Sequence, residues 1–405
     1  MLDYAHTMQV PLPSRLSAGA LAWASVSAFI QAAGIRSTPD PARIALAYRS
    51  DRLLTIDGAA PDVWSPLSGF WRSRDGWVRT HGNYPHHAQR LLDGLGLADA
   101  AHLEQAFAEL TSAEAVARIT GRGGLAVEVL GEDPARDALL RSTPLVDVAH
   151  HPSPDDRSPR TQNGLEGARI LDLTRVIAGP VCTRSLALLG ADVLRIDPPD
   201  LPEPEWQHFD TGHGKRSALL DARSPRLHDL LDRADAVVLG YRPAALARMG
   251  LSPEELVERH PGLVVAQLSA WGIDAPERAG FDSLVQAESG IAMIESPDGD
   301  RPGALPAQAL DHSAGYLLAA SVVSLLERRR TESGSWITRT SLRRIAAELL
   351  GMPRRLTPEP EQHIDPAEHT AVFEVGGRML TTARPVIPER EFRAPRPWGA
   401  DQPRW

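Results

Sequence analysis

Four short apolar segments constrain the fold most: Ala168-Arg-Ile-Leu-Asp-Leu173, Ala191-Asp-Val-Leu-Arg-Ile196, Ala236-Val-Val-Leu239 and Leu263-Val-Val-Ala-Gln-Leu268. Helical patterns fill the gaps between them. One runs from Gly179–Pro180 to near Gly190, one over Leu227–Arg233 and one over Pro253–Arg259. Strands alternating with helices at this spacing predict a doubly wound, mostly parallel α/β sheet with crossover helices. In such sheets ligands collect at the carboxyl ends of the strands. No G-x-G-x-x-G follows the first strand, so a nicotinamide dinucleotide is not indicated despite the Rossmann-like pattern. No P-loop and no G-x-S-x-G elbow is present either.

A second constraint is the stretch Ala304–Arg330. Gly315 and the run from Tyr316 to Leu326 are apolar on nearly every face, which predicts a helix inside a core. Arg328, Arg329 and Arg330 close it, where cations suit the negative end of the helix dipole. Asp311 stands at its start. Read alone it is an N-cap, and the positive end of the dipole is expected to keep its carboxylate ionised.

The 405 residues allow two or three domains, and a net charge of −9 argues against a nucleic-acid binder. Cys182 is the one cysteine, so no internal disulfide forms and a reducing, cytoplasmic setting is expected. Leu16–Ile35 carries no charge, but its serines and glycines and Asp3 upstream favour a buried helix over a leader or membrane span. Upstream of the parallel pattern, Gly69–Thr80 reads as a hairpin turning at Asp75–Gly76. Helices follow over about 85–92 and 100–110, a third opens at the capping box Thr111–Glu114, and 123–129 reads as a strand. From His150 to Gly164 the composition is that of a linker. His81, His86, His87, His150 and His151 show no ligand spacing, so they read as solvated and no metal is expected.

Five blocks in the α/β half resemble the class III coenzyme A transferases, the formyl-CoA and carnitine CoA-transferase type related to α-methylacyl-CoA racemase. They are LDLTRVIAGPVCTRSLALLGADVLRIDPP (171–199), GHGKRSALLDARSP (212–225), ADAVVLGYRPAALARMGLSPEELVERHPGLVVAQLSAWG (234–272), AGFDSLVQAESGIA (279–292) and PAQALDHSAGYLLAA (306–320). Residues 70–96 and 111–137 resemble the same family's small domain, which ordinarily follows the large one. The resemblance implies 1–60 as an N-terminal helical segment and 61–150 as a small α+β domain. A linker over 151–164 then leads to a large CoA-binding domain over 165–352, with a tail over 353–405 that packs back on it.

By resemblance Asp311 is the nucleophile of a CoA-transferase that moves coenzyme A from an acyl-CoA to a carboxylic acid. It would act through an aspartyl anhydride and an aspartyl-CoA thioester, a covalent route that splits one hard transfer into easier ones. The resemblance also implies coenzyme A contacts at Val176, Ile177, Lys215, Arg216, Arg223, Arg248 and Met249. It implies acyl-CoA and carboxylic acids as partners, a homodimer, and no metal, nucleic acid or membrane. No run of glycines matches the glycine-rich loop that several relatives hold over the nucleophile; Gly121-Arg-Gly-Gly124 is the densest candidate and falls in a different place. Racemases place a His where Phe281 stands. Phenylalanine cannot move a proton, so the transferase branch is favoured, with a non-catalytic CoA-binding protein and a racemase as the alternatives.

Overall fold

The computed structural model describes residues 8–152 and 165–405, so most of the expected linker, 153–164, lies outside the described residues. In chain order the strands are β1 (Thr55–Ile56), β2 (Phe70–Arg72), β3 (Trp77–Thr80), β4 (Ala126–Glu128) and β5 (Asp147–His151). They continue with β6 (Arg169–Leu173), β7 (Asp192–Asp197), β8 (Arg216–Leu219), β9 (Ala236–Leu239) and β10 (Val264–Ser269). The last are β11 (Ser335–Ser341), β12 (Thr370–Val375) and β13 (Arg378–Ala383).

The large sheet runs β5-β11-β10-β9-β6-β7-β8. From β6 to β11 every pairing is parallel, and β5 alone is antiparallel, against β11. Numbered from β6, the parallel order is 3-2-1-4-5-6, so the winding reverses between β6 and β9. A doubly wound sheet opens its ligand crevice at that reversal. The four segments that announced the sheet are β6, β7, β9 and β10.

The anticipated hairpin pairs β2 with β3 across Asp75–Gly76, and β4 completes a small antiparallel sheet. Leu67, Val78, Leu91, Phe107 and Ile119 form its own core. The capping box Thr111–Glu114 starts the helix Ser112–Gly121 with both reciprocal bonds present. After this unit the chain crosses to the large one. Helix Pro134–Arg141 meets helix Leu342–Leu350, where buried Asp137 pairs with Arg343 at 2.6 Å. A carboxylate with almost no contact with solvent needs such a partner, so this segment is anchored to the large unit.

Helix Ala18–Ala32 is buried against the long helix Ala309–Arg328, with Phe29 and Tyr316 rings 5.9 Å apart. The long helix passes the length and composition test for a membrane span, yet protein covers most of its surface here. Gly315 lets it approach the helix Ala178–Leu188 closely. A Cβ at Gly315 would lie 2.6 Å from the Ala178 carbonyl oxygen and 2.8 Å from Val181 Cβ. At its far end, Arg329 reaches back to pair with Asp235 at 2.6 Å. The tail hairpin β12–β13 pairs with β1, joining the two ends of the described chain in a third small sheet.

Candidate active site

Asp311 opens into a cavity of about 510 Å³ that sits at the reversal of the sheet. Three chain turns at strand ends build its large-unit wall: Arg175–Val176 after β6, Gly240–Arg242 after β9, and Leu268–Ala270 at the end of β10. The small unit supplies the facing wall with Tyr84, His86, His87, Arg90, Gly123 and Leu125. Asp311 is the only acidic side chain that lines it among the described residues.

The helix start is not what the sequence suggested. Its N-cap is Gln308, with no side-chain cap bond, and Asp311 is the third helical residue. The capping is done from outside. Asp282 accepts the Asp311 backbone N–H at 3.0 Å, and the Gln286 amide donates to its other oxygen at 2.5 Å. Gln286 in turn accepts the Leu305 N–H at 2.9 Å, which ties the loop before the long helix to the same cluster.

The expectation that the helix dipole keeps Asp311 ionised is therefore corrected. Burial pushes its carboxyl well above the ordinary range, and the neighbouring Asp282 charge pushes it further. Asp282 is raised to about 6 by burial, with the backbone N–H of Asp311 and the Gln286 amide pulling the other way. The donors converge on Asp282, so the pair keeps its negative charge there and Asp311 rests as the neutral acid.

Val176, in the turn after β6, has φ 72°, a left-handed conformation that is strained for a β-branched residue. Its N–H donates to Glu203 at 2.7 Å. That carboxylate also accepts the Tyr84 hydroxyl at 3.1 Å and the Gln207 amide at 3.1 Å, and it pairs with Arg195. Burial opposes the charge on Glu203, but Arg195 and Arg175 hold its carboxyl below the ordinary range. One buried anion thus fixes the strained turn and, through Tyr84, the small unit above it. Arg175 lies over the Tyr84 ring at 4.9 Å and donates to the Pro202 carbonyl at 3.0 Å.

The residues nominated from sequence divide sharply by place. Asp311 and Val176 line the cavity, and Ile177 is the half-buried residue that precedes the helix Ala178–Leu188. Lys215 is buried, donating to Asp172 at 3.0 Å and to the Pro180 carbonyl at 2.9 Å. Burial pulls its amine down to about 8 against the opposing pull of Asp172. Arg216 pairs with Asp192 at 2.9 Å and lies under the Trp405 ring. Arg223 and Arg248 are exposed and paired with Asp221 and Glu277, and Met249 packs on the core beneath. None of these five lines the cavity.

The histidine reading is corrected for His81. His81 is buried, with its ring 4.1 Å from Phe281, and burial holds it well below its ordinary range. His86 and His87 line the cavity with ring centroids 4.0 Å apart. Burial lowers His87 to about 3. His150 stacks on Trp336 at 4.0 Å within β5. Only His81 departs from the solvated reading outright, since its burial against Phe281 is a contact that spacing in the sequence could not show. His86 and His87 are half-buried and His150 is exposed. The cavity residues that were missed, Tyr84, His87, Arg90, Arg175 and Arg242, all lie inside the stretches that carried the resemblance. What was lacking was the order of the sheet, which decides which loop ends meet.

CoA-transferase family III matches residues 165–366. The chain is 31% identical over 205 residues to the probable fatty acyl-CoA transferase Rv3272 of Mycobacterium tuberculosis, covering 46% of this chain and 52% of that protein. It is 33% identical over 195 residues to the succinyl-CoA:glutarate CoA-transferase of Mus musculus, covering 43% and 44%. With the formyl-CoA:oxalate CoA-transferase of Afipia carboxidovorans it shares 34% identity over 187 residues, covering 42% and 44%. The crystal structure of Rv3272 overlaps 48% of this chain and 57% of its own at 29% identity, with a TM-score of 0.43. The chain spans about half the length of the curated relatives it matches. Since the matched region runs from just before β6 through the whole Asp311 helix and beyond, the chain belongs to CoA-transferase family III.

Proposed function

We propose that the protein transfers coenzyme A from an acyl-CoA to a carboxylic acid, with Asp311 as the covalent nucleophile. The observation that carries this reading is the position of Asp311, the one acid among the described residues on a cavity at the switch point of a parallel sheet. Once ionised, its carboxylate attacks the thioester carbonyl, the C–S bond breaks, and CoA thiolate leaves a mixed anhydride. The thiolate attacks the aspartyl carbonyl, releasing the first acid and leaving an aspartyl-CoA thioester. The acceptor carboxylate attacks that thioester, and the thiolate then takes the acceptor's acyl group, which regenerates Asp311. A carboxylate held away from water is poorly solvated and correspondingly reactive once charged.

Arg90, Arg175 and Arg242 ring the same cavity and suit the phosphates of the cofactor moiety. Val176 and the start of the following helix suit its pantetheine arm. The resemblance supports a homodimer, and the single buried Cys182 supports a reducing cytoplasm. The test is to incubate the protein with acyl-CoA and then hydroxylamine or borohydride, and to read Asp311 by mass spectrometry with Asp311→Ala as control. Modification of Asp311 alone is expected, and no adduct across a broad acyl-CoA panel would sink the proposal. One observation favours a second reading: His87 shares the cavity with Asp311, as a proton-transfer enzyme would need. Deuterium wash-in at the acyl α-carbon would establish that racemase chemistry.

A further inference from the structure

The lining of the cavity is sorted by charge. Apart from Asp311, and from Tyr84, whose hydroxyl donates to Glu203, its buried part is hydrocarbon: Leu125, Leu268 and Leu342 are nearly inaccessible, and Phe281 and Ala270 also line it. Phe281 directly precedes Asp282, the residue that caps the Asp311 helix, so this apolar wall adjoins the reacting carboxyl. The cations are elsewhere. Arg90 and Arg242 are exposed, and Arg175 is already engaged by Tyr84, the Pro202 carbonyl and Glu203, with the carboxylate at 4.0 Å. The imidazoles on the wall bring no positive charge, since burial lowers both His86 and His87. The charge that adjoins this wall through Phe281 is the Asp282–Asp311 pair, which is negative.

We infer that the acyl group handled at Asp311 is an apolar monoacyl chain, aliphatic or aromatic, and not the half-thioester of a dicarboxylic acid. The inference rests on the proposed reaction at Asp311. A second carboxylate on the acyl group would sit among leucines with no cation to pair with and an acidic pair close by. Burying an unpaired charge costs far more than burying a methyl group of similar size. A hydrocarbon tail there removes apolar surface from water and has no polar atom left to satisfy.

The test uses two non-hydrolysable thioethers that differ only at the tail, S-pentyl-CoA and S-(4-carboxybutyl)-CoA, titrated calorimetrically into the full chain. S-pentyl-CoA is expected to bind about 30-fold tighter or better, the scale on which an unpaired buried carboxylate is rejected. Affinities within about threefold of each other, or a preference for the carboxylate, would overturn the inference while leaving the CoA site standing. If neither binds, the proposed function fails and takes this inference with it. Ala270→Arg places a cation in the apolar wall and is expected to erode the discrimination about tenfold or more. Ala279→Arg, at a half-exposed lining position, does the same if the first variant fails to fold. Unchanged discrimination in a folded variant would show that the tail does not lie against this wall.

Discussion

The close passage of the Asp311 helix at Gly315 sets the position of the candidate nucleophile, and it gives the sharpest stability prediction. In an unobstructed helix, Gly→Ala stabilises by about 1 kcal/mol. At Gly315 the new methyl would meet the Ala178 carbonyl oxygen at 2.6 Å and Val181 at 2.8 Å, and the first of these is backbone that cannot swing aside. Overpacking of that kind costs about 1–3 kcal/mol. Set against the helix-propensity gain, the net expectation for Gly315→Ala is a loss of up to about 2 kcal/mol. Gly121, in the last turn of a small-unit helix with nothing within 4 Å of its added Cβ, is the internal control. Gly121→Ala should gain about 0.5–1 kcal/mol. Urea unfolding midpoints with unchanged slopes read both. The sign should differ between the two variants. Gly315→Ala should also slow Asp311 labelling about tenfold or more, because a shifted helix moves the carboxyl relative to the Val176 turn. A Gly315→Ala protein as stabilised as Gly121→Ala would refute the close packing.

Two further outcomes follow from the buried charges. Asp311→Asn should be more stable than the native protein at pH 7.5 by about 1–3 kcal/mol. A raised carboxyl favours the protonated folded state, so the native penalty grows as pH rises through the folded-state range of Asp311, well above the ordinary carboxylate value, and is gone once pH falls to the ordinary value of about 4. The advantage of the variant should shrink over the same window, which unfolding midpoints across pH will show. Lys215→Met should destabilise by about 3–5 kcal/mol, because it leaves the buried Asp172 without its cation. A loss below about 1 kcal/mol would refute the buried pairing of Lys215 with Asp172.

The sequence made the large sheet readable because β6, β7, β9 and β10 are mostly apolar runs, interrupted inside only by Asp172, Arg195 and Gln267, as suits strands buried on both faces. β8, Arg216-Ser-Ala-Leu219, and β11, Ser335-Trp-Ile-Thr-Arg-Thr-Ser341, carry runs of polar residues and lack that signature, so only their neighbours in the sheet reveal them. β5 was hidden for another reason. Asp147-Val-Ala-His-His151 sits at the edge of a polar stretch and pairs with β11, nearly 190 residues further on, so no local pattern announces it. Asp311 was legible as a site residue from the blocks around it, but its electrostatics were not. A local reading gives Asp311 the helix dipole, whereas the fold gives that helix end to Asp282, 29 residues earlier. Likewise Lys215 and Arg216 look like free cations in sequence and become partners of Asp172 and Asp192 in space.

The external cap on the long helix also bears on how the chain can vary over generations. Asp282 and Asp311 share one bond, one charge and one buried volume, so neither position drifts on its own. Losing the acid at 282 uncaps the helix and alters the ionisation of its partner together. Losing the acid at 311 leaves 282 with a charge that no longer has a neighbour to repel. Substitution effects at the two sites should therefore fail to add, by the 0.5–3 kcal/mol seen for contacting pairs of roughly this kind. A lineage that abandons one acid is under pressure to revise the other, which makes the pair a linked character in descendants of this sequence.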